Sequence, residues 1–277
     1  MVNNGAGKNS GSYVEDGFDP SSWIEVEAYT EELLNRKISC SKCLEGIIRD
    51  ASELSEHISE KGALLYISMT CDTENEEKKG AFLDFVENVR PKLSEFSDSL
   101  NRRIVSHEAI EDLPERYDLM IRSMKNDVEI FRKENIPLSV EQTKLVTEAQ
   151  TINGAMSVEY EGEEYTIPEM RVFLESNERS VREGAWKAVA DRRLQDEGRL
   201  SEIFDQLIVI RNEIAINAGF ETYTDYMFRA MERFDYTKND CLEFHDAIEA
   251  VCVPLMREIN SRRIDSLELG SLRPWDV

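Results

Sequence analysis

The feature that most restricts this chain is a run of apolar residues at Phe82, Phe85, Val86, Val89, Leu93, Phe96, Leu100 and Ile104. Steps of three and four put all of them on one face of a helix, whereas a half-buried strand would alternate. Pro91 lies inside the run and is expected to kink the helix rather than end it. Leu44, Ile47, Ile48, Ala51, Leu54 and Ile58 form a second stripe, and Ile203, Leu207, Ile210 and Ile214 a third. Glu, Lys and Arg fill the positions between, as expected of faces turned to water. The expected fold is therefore mainly α.

Helix boundaries are also readable. In "INAGFETYTDYMF", Gly219 can adopt the left-handed conformation that closes a helix, and Phe220 can pack back over the last turn. Thr222 can cap the next helix, with Asp225 as its partner three residues on. Thr237 and Asp240 repeat that arrangement, and Pro254 in the helix that follows suggests a bend. One stretch departs from the helical period. "SVEYEGEEYTI" alternates around Glu161-Gly162 and predicts a single β-hairpin near residues 157–167. Pro168, just after it, suits the first turn of a further helix.

Composition bounds the function. Hydrophobic residues make up 41% of the 277, enough for a core, which argues against global disorder. The net charge of -23 argues against nucleic acid as a partner, because phosphate backbones are held by cationic side chains. No apolar run approaches the ~20 residues of a membrane span. The first twenty residues, rich in Gly, Asn and Ser, resemble neither a signal peptide nor a myristoylation site and read as a flexible leader. Five cysteines, an odd number without a dense framework, suit a reducing compartment, and the cytoplasm is expected. Cys40 and Cys43 form a C-x-x-C. With no second such pair or His pair to accompany it, they read as two small residues at a helix start.

Catalytic templates are missing. "SHEAIED" begins like the zinc-binding H-E-x-x-H, but Glu111 stands where the second His is needed. "FHDAIEA" sets His245 and Glu249 at the same spacing, and His57, the third and last His, has no evident ligand nearby. Both His-Glu pairs read as ordinary surface pairs. No nucleophile elbow and no glycine-rich phosphate loop occurs. Tyr223, Tyr226, Phe228, Phe234 and Tyr236 have helical spacing and read as packing between helices. No catalytic or metal-ligating residue is expected in this chain, and its substrate-binding residues are unknown from sequence.

Several longer stretches resemble a known family. "SVREGAWKAVADRR" (180–193), "IRNEIAINAGFETYTDYMFRAMERFDYT" (210–237) and "LGSLRPWDV" (269–277) are similar to the oligoendopeptidase F branch of the thimet-oligopeptidase-like zinc metallopeptidases. "LLYISMTCDTENEE" (64–77) fits the N-terminal region of the same family. The resemblance implies a helical lobe like the N-terminal part of a neurolysin-like peptidase. It divides the chain into a leader (1–20), an N-terminal helical domain (21–155) and the beginning of the peptidase-domain helices (156–277).

In that family the H-E-x-x-H helix and the other catalytic groups lie downstream of the Leu-Arg-Pro-Trp-Asp phrase. "SLRPWDV" therefore reads as leading into a further segment, and no catalytic position carries over. The resemblance implies an N-terminal portion of a zinc-dependent oligoendopeptidase that hydrolyses internal bonds of short peptides. This portion would form one wall of the substrate channel and be inactive alone. Zinc is expected for the complete enzyme and not for this chain. Two alternatives are a subunit of a split peptidase and a non-catalytic helical binding module. Whether the chain counts as an enzyme is thus left open. An N-terminal portion should also expose apolar surface, at Leu242, Phe244, Val251, Leu255, Ile259 and Trp275, for the catalytic portion or for self-association.

Overall fold

The computed structural model describes residues 12–277, which are mainly helical with one small sheet. The chain forms two compact units. The first comprises residues up to Glu148 together with Val209–Glu232, and the second comprises Ala149–Ile208 with Arg233–Val277.

The first unit is built on α2 (Ser41–Thr70). Its stripe residues Leu44, Ile47, Ile48, Leu54 and Ile58 are all buried. They pack with Val26 and Leu33 of α1 (Trp23–Asn35) and with Phe96, Leu100 and Ile104 of α4 (Arg90–Val105). A smaller cluster joins Met69 of α2 to Phe82 and Val86 of α3 (Glu76–Asn88). The long stripe is thus apolar along its length but divided between two helices. Val89 separates them, and Pro91 occupies the first turn of α4. The expectation of one kinked helix gives way to a break. Proline has no N–H for the carbonyl four residues back, so it suits a helix start better than an interior.

The leader expected at 1–20 differs from what the chain does beyond its first eleven residues, which lie outside the described ones. Val14 is buried in the α1–α2–α4 core. The Glu53 carboxylate accepts the backbone N–H groups of Tyr13 and Val14, each at 3.0 Å, and the Ser12 hydroxyl. The Ser12 hydroxyl first, then the Val14 N–H, hold Glu53 below the usual carboxylate range. The Tyr13 hydroxyl donates to the Tyr29 carbonyl at 2.8 Å. A polar composition read as flexible is tied down here by one acid 40 residues away.

Residues 209–232 return to the first unit through buried amides. Asn126 of α5 (Asp118–Ile130) donates to the Arg229 carbonyl at 3.0 Å, while the Arg229 Nε donates to its Oδ1 at 2.7 Å. Asn135, at the start of α6 (Asn135–Gly154), donates to the Ile214 carbonyl and accepts from Asn217. Gly219 closes α9 (Glu197–Asn217) at φ 88°. The Phe220 N–H reaches the Ala215 carbonyl and the Gly219 N–H that of Ile216, the two bonds of a Schellman motif. Thr222 then caps α10 (Tyr223–Ala230) as expected.

In the second unit, β1 (Ser157–Tyr160) pairs antiparallel with β2 (Glu163–Thr166), and Ser157 faces Thr166. Glu161 and Gly162 both take positive φ, as a two-residue hairpin turn requires. After a turn through Pro168 comes the short α7 (Arg171–Leu174). The hairpin packs on α8 (Arg179–Leu194) through Val158, Met170 and Ala185. Gly184 permits this approach, since a Cβ there would sit 2.9 Å from the Tyr160 hydroxyl. α11 (Lys238–Ser266) starts at a Thr237–Asp240 capping box and continues through Pro254.

The C-terminal residues are clasped onto α8. Arg179 donates two hydrogen bonds of 2.9 Å to the Asp276 carboxylate, whose side chain is fully covered. Arg182 donates to the Trp275 carbonyl at 2.8 Å. The Trp275 ring lies 5.4 Å from that of Trp186, with Lys187 and Arg179 over it.

Two outcomes are expected. Leu54→Ala should cost about 2–5 kcal/mol in denaturant unfolding, whereas Ile24→Ala, at a site 80% exposed, should stay within about 0.5 kcal/mol. Arg179 holds the Asp276 pKa below its ordinary value, so the clasp is complete above the usual carboxylate range and is lost as pH falls through that lowered pKa. Acid titration of tryptophan emission should show this release in the wild type. Asp276→Asn should already give the released emission at neutral pH.

Candidate functional site

The three histidines do not converge. His107 lies past the end of α4, where its Nδ1 accepts the Ala109 N–H at 3.1 Å and caps a single 3-10 turn ending at Ile110. The face that would have aligned it with Glu111 does not exist. His245 and Glu249 are both exposed on α11. His57 on α2 packs edge-on against Phe18. Among the described residues, no group of three or more His, Cys, Asp or Glu is placed to hold a metal ion. The described residues therefore do not fit a catalytic zinc.

The aromatic residues divide. In the first unit the Tyr226 ring meets those of Phe220 and Tyr223, with centroids 5.8 and 5.9 Å away, and Arg211 lies over Tyr223. Phe228 is half-buried in the same unit. Phe234, half-buried, and Tyr236, exposed, belong to the second.

A cavity of about 480 Å³ opens in the first unit between α3–α4 and α5–α6, reached by Arg90, Asp98, Asp127, Arg132, Asn135 and Tyr226. The Arg90 guanidinium lies 5.4 and 5.8 Å from the Phe82 and Phe85 rings. Burial lowers its pKa. Burial, and then the charge of Glu232, raise that of Asp127. Arg132 is occupied by the carbonyls of Glu129 and Phe131. The cavity thus holds polar groups in a partly desolvated setting, but no pairing of nucleophile and base. Sequence reasoning could not find it, because its lining comes from five helices, α10 contributing Tyr226.

An exposed apolar surface of the second unit lies on α11, none of whose residues is buried. Phe244, Ile248, Val251, Leu255 and Ile259 follow steps of three and four along one side, and Phe244 and Val251 are 64% and 69% exposed. Leu242 is also exposed. Five of the six residues expected to be open are so. Trp275 is the exception, half-buried against Trp186, because Arg179 and Arg182 draw the terminal turn onto α8.

Comparison with known proteins agrees with this architecture. Residues 18–131 match the family model for the peptidase M3 N-terminal domain, and residues 172–277 match that for peptidase family M3. Pz peptidase A with an inhibitor superposes with a TM-score of 0.88 at 22% identity, over 96% of this chain and 48% of its own. A Bacillus anthracis str. Ames protein assigned as an oligoendopeptidase F gives 0.88 at 20%, over 95% and 48%. Oligoendopeptidase-F from Enterococcus faecium gives 0.73 at 15%, over 95% and 56%. At these identities the likeness speaks for the fold. The chain spans about half the length of these structures. A search of curated proteins finds no significant match. With two models of one family matched in order over most of its length, and that family's fold throughout, the chain belongs to peptidase family M3.

Proposed function

We propose that this chain is the N-terminal portion of a zinc-dependent oligoendopeptidase acting on short peptides, and that it forms one wall of the substrate channel. The observation that carries this reading is a mismatch. The M3 matches run to residue 277 and the fold covers about half of each similar structure, yet the chain contains no H-E-x-x-H. Its described residues bring together no metal-ligand set. On this reading the metal and the acid–base groups belong to another segment, in cis or in trans. This chain contributes positioning. A rigid wall limits substrate length and orientation, which lowers the entropic part of the barrier.

The apolar side of α11 supports the same reading. Burying a Leu- or Phe-sized side chain is worth about 1.5–3 kcal/mol, and several lie open here. The proposed occupant is the catalytic portion, with self-association as the competing use. A cytoplasmic location belongs to the same proposal and is supported by an odd number of cysteines without a dense framework.

Mixing the chain with the separately produced zinc-bearing portion of a family member should raise its melting temperature and yield cleavage of a quenched fluorescent peptide. Phe244→Asp with Val251→Asp should abolish both effects while leaving the helical circular dichroism of the chain unchanged. No stabilisation and no association at high micromolar concentration would favour the self-contained binding module.

A further inference from the structure

The Cys40–Cys43 motif has no part in the peptidase reading. It sits at the start of α2, the 30-residue helix on which the first unit is built. Cys40 is the N-cap residue in extended conformation, and its sulfur accepts the Cys43 N–H at 3.3 Å. That geometry turns the Cys40 side chain back over the first turn, where its Sγ lies 2.8 Å from the Cys43 Sγ. The Ser39 Oγ lies 3.2 Å from the same Cys43 sulfur. Cys40 is exposed and Cys43 partly so. Next in the chain is Leu44, which is fully buried and fixes the backbone beneath the pair.

We propose that Cys40 and Cys43 are a reversible dithiol–disulfide pair, oxidised by low-molecular-weight disulfides of the glutathione type. A disulfide requires sulfurs about 2.05 Å apart, so closure asks for only about 0.8 Å of further approach. Cys43 is the attacking group. Hydrogen bonding from the Cys40 thiol, then from Ser39, pulls the Cys43 thiol down to about 7. The thiolate form is the nucleophile, so a substantial share of Cys43 is reactive at neutral pH.

The exchange balances in two steps. The Cys43 thiolate attacks one sulfur of the external disulfide, forms a mixed disulfide, and expels the other half as a thiolate. Cys40 then gives its proton to solvent, and its sulfur attacks the Cys43 sulfur and expels the second half. Two electrons pass from the protein dithiol to the external disulfide, which leaves as two thiols. An external thiol reverses both steps.

The test is peptide mapping by mass spectrometry of the full chain equilibrated with oxidised and reduced glutathione, after trapping free thiols by alkylation. The expected result is that Cys40 and Cys43 together lose two hydrogens and escape alkylation, while Cys71, Cys241 and Cys252 remain alkylatable. Cys40→Ser, which puts an N-cap oxygen in place of the sulfur, should stop at a mixed disulfide on Cys43. Cys43→Ser should slow glutathione attachment at the motif by roughly tenfold or more. Circular dichroism of each variant checks that α2 is intact. If Cys40 and Cys43 stay alkylatable in oxidised glutathione, or react no faster than the exposed Cys71, the proposal is wrong. Neither outcome bears on the peptidase assignment, which concerns other residues.

Discussion

The first unit depends on the burial of one face of α2. Leu44, Ile47, Ile48, Leu54 and Ile58 touch what α1 and α4 offer, and Met69, further along, reaches α3. At 30 residues α2 is the longest helix among the described residues. Helix propensity alone would hold such a length only marginally, because most helical stability in proteins comes from packing an apolar face. Other features follow from this axis. Glu53, next to the buried Leu54 on α2, captures the backbone at residues 13–14. Cys40 caps the N-terminal end of the helix and so holds its sulfur against that of Cys43.

Much of this was legible in the sequence, for a local reason. Apolar period, capping pairs and turn residues act over a few positions, and each was read where it acts. The α2 stripe, the Schellman close at Gly219, the Thr222 and Thr237 caps and the hairpin across Glu161-Gly162 all appear at the expected residues. What escaped was long-range. The break at Val89 left the apolar period intact, so the stripe concealed it. Docking of residues 12–20 depends on an acid in another helix, and the return of residues 209–232 depends on the amides of Asn126 and Asn135. Single polar residues of this kind carry no periodic signature. The cavity at Arg90 and Asp127 was hidden for the same reason.

Function was legible in a different way. No spacing of residues in this chain specifies hydrolysis, and the structure gathers no ligand set from its three histidines. Longer phrases carried the family, and those same phrases turn out to be structural. Asn217 to Phe220 closes α9 and anchors it to α6, and Pro274 to Asp276 docks on α8. Family likeness here resides in the joints of a scaffold, which suits a chain whose proposed contribution is shape rather than chemistry.

That division between scaffold and chemistry is open to one direct measurement: metal content by mass spectrometry of the purified chain after exposure to zinc, together with hydrolysis of a quenched fluorescent peptide. The expected result is no stoichiometric zinc and no cleavage above buffer. One tightly held zinc per chain, with peptide cleavage that disappears in His107→Ala, would contradict it and place the chemistry within these 277 residues.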